Sequence, residues 1–258
     1  VQTCALPIYE GLSRESIWSI ARDAAGRLWV GTQFGLNYAE ESGGRITWKQ
    51  SKVPGLEMIR AIAANPDGSL WIGGEPDGLR QLNPKTGSVR EISAADGTAI
   101  DGVRSIMIDH GGRVWVAASS GLFRSSAPAP FGAKVEFERQ RPTGTRMGET
   151  FLKVIEDQEG RVWAAGNQWL ARLSAGVWTR FTKDRNGLRS NSVAQLAEER
   201  GDGSIWIGYR DALGVSRLSV QRGEANITHY STAAGMRSDK TLFLTFDITG
   251  RLWIGTDH

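Results

Sequence analysis

Three histidines and one cysteine are the residues of this 258-residue chain best suited to acid–base, nucleophilic or metal chemistry. His110 falls in a turn-like DHGG string, His229 in a strand-like NITHY string, and His258 is the last residue, so no pair has metal-ligand spacing. Cys4 is single, which excludes an internal disulfide. The opening VQTCALPI (1–8) reads as a translated sequencing adapter and is set apart from the fold. Neither a G-x-S-x-G nucleophile elbow nor a phosphate-binding G-x-x-x-x-G-K-[ST] occurs. The D-x-N-G string at 184–187 has the outline of a calcium loop, but LRSNSV after it brings no acidic twelfth position, so a turn is expected. The sequon at Asn226 has no supporting context. No catalytic residue, metal site or cofactor is expected in this chain.

Lys and Arg number 31 and Asp and Glu 28, a net charge of +3 that is spread along the chain. The basic residues nearest to clustering are pairs such as Arg139 and Arg141, which gives no nucleic-acid footprint. No run of 18 apolar residues marks a membrane helix. The 32 glycines are about 12% of the chain, against a usual share of roughly 7%. With ten tryptophans and only eight prolines, this composition points to many short strands joined by tight turns.

The elements that must position any site emerge from an internal repeat. GRLWVGT (26–32), GSLWIGG (68–74), GRVWVAA (112–118), GRVWAAG (160–166), GSIWIGY (203–209) and GRLWIGT (250–256) share one pattern. Their tryptophans, Trp29, Trp71, Trp115, Trp163, Trp206 and Trp253, are spaced by 42, 44, 48, 43 and 47 residues. An apolar strand precedes each copy: IWSIA (17–21), IRAIA (59–63), VRSIMI (103–108), FLKVI (151–155), VAQLA (193–197) and LFLTF (242–246). A polar turn ending in Gly joins the two, and Asp or Asn opens five of the six turns, where its side chain can bond its own turn's amides. Third strands such as GLNYA (35–39) and WLARL (169–173), and fourth strands such as VWTRF (177–181), follow. Four short strands per 45 or so residues predict an all-β fold of four-stranded β-propeller blades. About six blades are present, and the expectation is an incomplete seven-bladed ring. The six tryptophans are expected to pack between blades, since a blade cannot bury both faces alone.

The pattern I-x-x-I-x-x-D-x-x-G-x-L-W-I-G-T-x-x-G-L resembles the two-component regulator propeller repeat. Residues 11–38, 187–208 and 235–256 carry it nearly complete, and the likeness extends over most of 9–258. Ala117 and Ala165 replace the glycine after Trp-x in the third and fourth copies, and Trp169-Leu170 replaces Gly-Leu in the fourth. The resemblance implies a β-propeller sensor domain at 9–258, truncated at both ends. It implies a periplasmic, ligand-binding part of a bacterial transmembrane signalling protein of hybrid histidine kinase or diguanylate cyclase type. The parent protein would be membrane-anchored and dimeric. The alternatives are a propeller enzyme of streptogramin-lyase type, whose His and Glu positions have no match here, and a stand-alone protein-interaction scaffold.

In a four-stranded meander, the second-to-third and outer-to-first strand loops share one face, the usual recognition surface of propellers. Its candidate ligand-binding residues are Arg14, Phe34, Glu75, Asp77, Trp169, Arg189, Asn191, Tyr209, Arg210 and Arg237. Aromatic rings among charged and amide groups suit a small polar molecule or carbohydrate. Trp169 and Tyr209, as loop aromatics, are the leading candidates to present their rings to it, and for Trp169 the alternative is packing in place of its copy's missing glycine.

Overall fold

The structure is a computed structural model that describes residues 16–145, 149–221 and 224–257. The proposed adapter segment 1–8 and the proposed domain start at residue 9 lie outside the described residues.

The fold is all-β, built of antiparallel meanders that match the expected propeller blades. The first sheet holds β1 (Ile17–Arg22), β2 (Leu28–Thr32), β3 (Gly35–Ser42) and β4 (Arg45–Ser51). The second holds β5 (Ile59–Ala64), β6 (Leu70–Gly74), β7 (Leu79–Leu82) and β8 (Val89–Ile92). The third holds β9 (Val103–Ile108), β10 (Val114–Ala118), β11 (Gly121–Ser125) and β12 (Phe137–Gln140). The fourth holds β13 (Phe151–Glu156), β14 (Val162–Gly166), β15 (Trp169–Ser174) and β16 (Val177–Phe181). The fifth holds β17 (Val193–Glu199), β18 (Ser204–Tyr209), β19 (Val215–Gln221) and β20 (Glu224–Tyr230). The last described sheet has two strands, β21 (Thr241–Phe246) and β22 (Leu252–Thr256). The DRNG string folds as one helical turn, α1 (Lys183–Asn186), capped by the Thr182 hydroxyl and ended by Gly187 at φ 78°. The contacts group the chain into two compact units: the residues up to Val114 with Arg124–Glu138, and Trp115–Phe123 with the residues from Arg139 onward.

One side-chain clamp closes the first hairpin in most of the sheets. In the first, Asp23 Oδ1 accepts from the amides of Ala25 (3.0 Å) and Arg27 (2.9 Å), and Gly26 turns the chain at φ 81°. Asp23 Oδ2 then accepts from the Trp29 indole N–H at 2.8 Å. The same bond joins Trp163 to Asp157 (2.7 Å) and Trp253 to Asp247 (2.9 Å). In the fifth sheet, whose turn is one residue longer, Glu199 takes the Trp206 indole at 2.9 Å. The second sheet departs from the rule. Asn65 sends its amide to the Ala129 carbonyl (3.0 Å), a bond that a carboxylate cannot donate, and Trp71 Nε1 has no hydrogen-bond partner among the described residues. Asp247 keeps its carboxyl well below the usual carboxylate range, chiefly through the Thr249 hydroxyl and then the Trp253 indole.

Trp29, Trp71, Trp115 and Trp163 are buried at 2% exposure or less. Aromatic residues of later strands cover several of the indoles: Tyr38 over Trp29, Phe181 over Trp163, and Tyr230 stacked on the half-buried Trp206. Trp253 departs from the packing expectation, because its sheet has no third or fourth described strand to cover the ring and it stays 57% exposed.

Three pairs of neighbouring sheets meet at the glycine two residues after the repeat tryptophan. A Cβ at Gly31 would lie 2.6 Å from Ile59 Cγ2, one at Gly73 2.5 Å from Val103 Cβ, and one at Gly208 2.9 Å from Thr241 Cγ2. In each case the residue struck lies on the next sheet's first strand, so close approach of the sheets requires glycine here. Gly73→Ala should therefore cost about 1–3 kcal/mol in urea denaturation, as overpacking does. A cost below about 0.5 kcal/mol would mean that the sheets do not meet as closely as this.

Candidate functional site

In the second unit, an open groove of about 610 Å³ is lined by Thr143, Trp178, Thr179, Arg180, Thr182, Asp184, Arg185 and Asn191. β16 supplies Trp178, Thr179 and Arg180. Thr179 is exposed, while Trp178 and Arg180 are half-buried, the Trp178 ring meeting that of Trp115 edge-on. Asn191 is fixed by accepting from the Lys183 amide at 2.8 Å, which ties the loop before β17 to the start of α1. Arg180 lies flat over Trp169, with its guanidinium carbon 3.7 Å from the ring centroid, and donates to the Gln168 carbonyl at 2.9 Å. The lining thus combines an aromatic ring, two cations, a carboxylate and hydroxyls, which can orient a polar molecule but brings no nucleophile–base pair together.

The candidate residues named from sequence scatter over this and other surroundings. Trp169 and Tyr209 are not loop residues: they open β15 and close β18, and they are 2% and 0% exposed. Large rings at strand ends are buried under the neighbouring loops, and this corrects the expectation that they face solvent. The Tyr209 hydroxyl accepts from the Arg189 amide (3.1 Å) and bonds the Ser216 hydroxyl (2.8 Å), which in turn bonds His229 Nδ1 at 2.7 Å. This Ser–His contact looks like a nucleophile with its base, but Ser216 is fully buried between strands and the chain of bonds ties β18, β19 and β20 together. Burial, then the Arg189 charge, lowers the His229 pKa below its ordinary value. Arg210 donates to the Asn167 side chain at 2.9 Å. Arg237 and Phe34 are exposed, and Asp77 is half-buried. Arg14 lies outside the described residues.

Glu75 belongs to a cluster in the first unit that the sequence reading missed. The first strand of five of the sheets carries a one-residue bulge near its start, shown by register shifts at Ile17/Ser19, Ile59/Ala61, Phe151/Lys153, Val193/Gln195 and Thr241/Phe243. A bulge re-aims its side chain away from the strand's alternation. The bulge residues of β1 and β5 are Trp18 and Arg60, and Arg104 holds the same place in β9. Arg60 meets Glu75 Oε2 at 3.1 Å, and Arg104 donates to Glu75 Oε1. The Arg60 guanidinium carbon sits 3.7 Å from the centroid of the Trp18 ring, which remains 46% exposed. Burial lowers the Arg60 pKa, Glu75 opposes this and Arg104 adds to it. The available signal was an arginine at one position of two successive apolar strands, IRAIA and VRSIMI.

Among the described residues, no three His, Cys, Asp or Glu side chains form a group able to hold a metal, and no helix is long and apolar enough to cross a membrane. What distinguishes the chain is therefore its repeat, and the model of the family described as two component regulator propeller matches residues 11–34. This stretch is a two-component regulator propeller repeat. The Asp-to-Trp clamp and the glycine at the sheet contact both belong to that repeat, and five further Trp-centred copies lie along the chain, with Ala117 and Ala165 in the glycine's place in two of them. No curated protein matches. The fold is similar to that of the extracellular domain of BT4673 from B. thetaiotaomicron, described both as a one component and as a hybrid two component system. That match has a TM-score of 0.71 at 19% identity over 95% of this chain and 34% of the other. Virginiamycin B lyase from Staphylococcus aureus is similar with a TM-score of 0.67 at 14% identity, over 95% of this chain and 79% of the lyase. PorZ, a surface component of the type-IX secretion system of Porphyromonas gingivalis, gives 0.62 at 17% identity, over 99% and 46%. The propeller-repeat chain spans about a third of the BT4673 domain. At these identities the likeness is one of fold.

Proposed function

We propose that this chain is the sensory, ligand-binding part of a bacterial transmembrane signalling protein, exposed to the periplasm. The observation that carries this reading is the division of labour among its residues. The repeat positions pack the sheets, while a groove lined by Trp178, Arg180, Arg185, Asp184 and Asn191 stands on residues that the repeat does not require. Binding there of a small polar molecule, such as a carbohydrate, would favour one arrangement of a membrane-anchored, dimeric parent and so bias its output domain. The match to the two-component regulator propeller repeat and the likeness to the BT4673 extracellular domain support this. The lyase shares the fold, yet neither described histidine, His110 in the turn before β10 nor His229 within β20, is among the residues that line the groove. The test is to sequence the DNA downstream of the coding segment in its source genome. A continuing frame that encodes a membrane helix and a kinase or cyclase is expected. A frame that closes without either would overturn the reading.

A further inference from the structure

The cluster of Trp18, Arg60, Glu75 and Arg104 is a second place where the chain departs from what the repeat needs. At the same bulge position the second unit has Leu152, Ala194 and Leu242. Apolar side chains thus satisfy the fold there, and a charged set in the first unit needs another reason. A single Glu–Arg pair would balance its own charge. Here two guanidiniums share one carboxylate, which leaves a surplus of one positive charge on half-buried groups whose side chains are 20% and 29% exposed. Arg60 Nε and Arg104 Nε are buried and have no hydrogen-bond partner among the described residues, so an incoming group can reach only the other, exposed parts of the two side chains. Two like charges held this close are costly unless an anion joins them. Glu75 fixes the two planar heads, and planar guanidiniums bind carboxylates through paired N–H bonds. Trp18 adds an exposed aromatic surface beside the same heads.

We propose that Arg60 and Arg104 form a binding site for a carboxylate carried on a ring, whose body packs on Trp18. Glu75 is a positioning residue that holds both guanidiniums, and the incoming carboxylate neutralises the surplus charge. This inference rests on the reading of the chain as a ligand-binding domain but not on a membrane-anchored parent, so the genomic test and the one below fail independently.

The experiment is a thermal-shift and calorimetric titration of the chain with four probes: glucuronate and benzoate (ring and carboxylate), acetate (carboxylate alone) and glucose (ring alone). At about ten times Kd, one or both ring carboxylates should raise the melting temperature by about 3–5 °C, while glucose has no effect. Arg104→Gln, checked for folding by circular dichroism, should weaken that probe at least about tenfold, as loss of a charge-assisted contact does. Trp18→Ala removes a half-exposed ring, and it should bring the ring carboxylate down to the affinity of acetate. It keeps the test decisive if Arg104→Gln does not fold. Two results would overturn the proposal. One is absence of heat and shift with both ring carboxylates up to about 10 mM, a limit that corresponds to affinities too weak to matter. The other is wild-type affinity in the folded variants, which would reduce the cluster to a link between strands.

Discussion

Asp157→Ala is expected to lower the unfolding free energy by about 3–5 kcal/mol, the range for breaking a buried charged pair. The carboxylate is 0% exposed and serves four donors at once: the Glu159 amide (3.1 Å), the Arg161 amide (2.9 Å), Arg161 Nε (2.7 Å) and the Trp163 indole (2.7 Å). Removing it leaves the Arg161 charge, whose side chain is only 16% exposed, with its exposed partner Glu159 alone, and it orphans a buried indole N–H. Asp247→Ala deletes the matching amide and indole bonds in the last sheet, with the Thr249 hydroxyl in place of the arginine head, but there Trp253 is 57% exposed and no buried ion pair is broken, so the loss should be clearly smaller. Urea denaturation of the two variants side by side is the measurement. Equal losses would show that the clamp acts through the local turn alone and that burial adds nothing.

Trp163→Ala should cost a similar amount, about 3–5 kcal/mol, for a different reason. The ring is 1% exposed, lies 5.2 Å from the Phe181 ring and has the Arg172 guanidinium 5.5 Å from its centroid. It belongs to the core that includes Leu170, Leu188, Leu196 and Ile207. Truncation opens a cavity that β-strands on both sides cannot close. The effects of Asp157→Ala and Trp163→Ala should not add, because the two side chains share one hydrogen bond. The double variant should fall short of the sum by roughly 0.5–3 kcal/mol, and strict additivity would show that the indole bond contributes nothing.

The strands, the turns and the blade count were legible because every copy repeats them, and agreement among copies filters out accident. VWTRF at 177–181 is a strand with the bounds read from sequence, and the other fourth strands differ by a few residues at their ends. The Asp of the turn and the Trp of the strand were both visible, yet the bond between them was not. Each residue already had a sufficient local role, and only the fold of the hairpin brings positions six apart face to face. Trp169 and Tyr209 were misplaced for the opposite reason. They stand where strand and loop meet, and sequence does not say which side of that boundary covers a ring. Arg60 and Arg104 were missed because an arginine inside an apolar strand reads as its solvent-facing alternate, whereas a bulge changes which way it points. The groove was half legible. Asn191 was named, but Trp178 and Arg180 were taken as ordinary strand positions.

The clamp has a kinetic consequence. A bond from residue i to i+6 closes a very short loop, so its entropic cost is met before any two sheets need to meet. Hairpins of this kind form in roughly 1–10 μs, long before contacts between distant parts of a chain. The chain therefore carries several independent starting points for folding, one for each clamped hairpin, and no single one is indispensable. Asp157→Ala should accordingly leave the folding arm of a chevron nearly unchanged and raise the unfolding rate, and a loss carried mainly by the folding arm would make this hairpin an obligatory start.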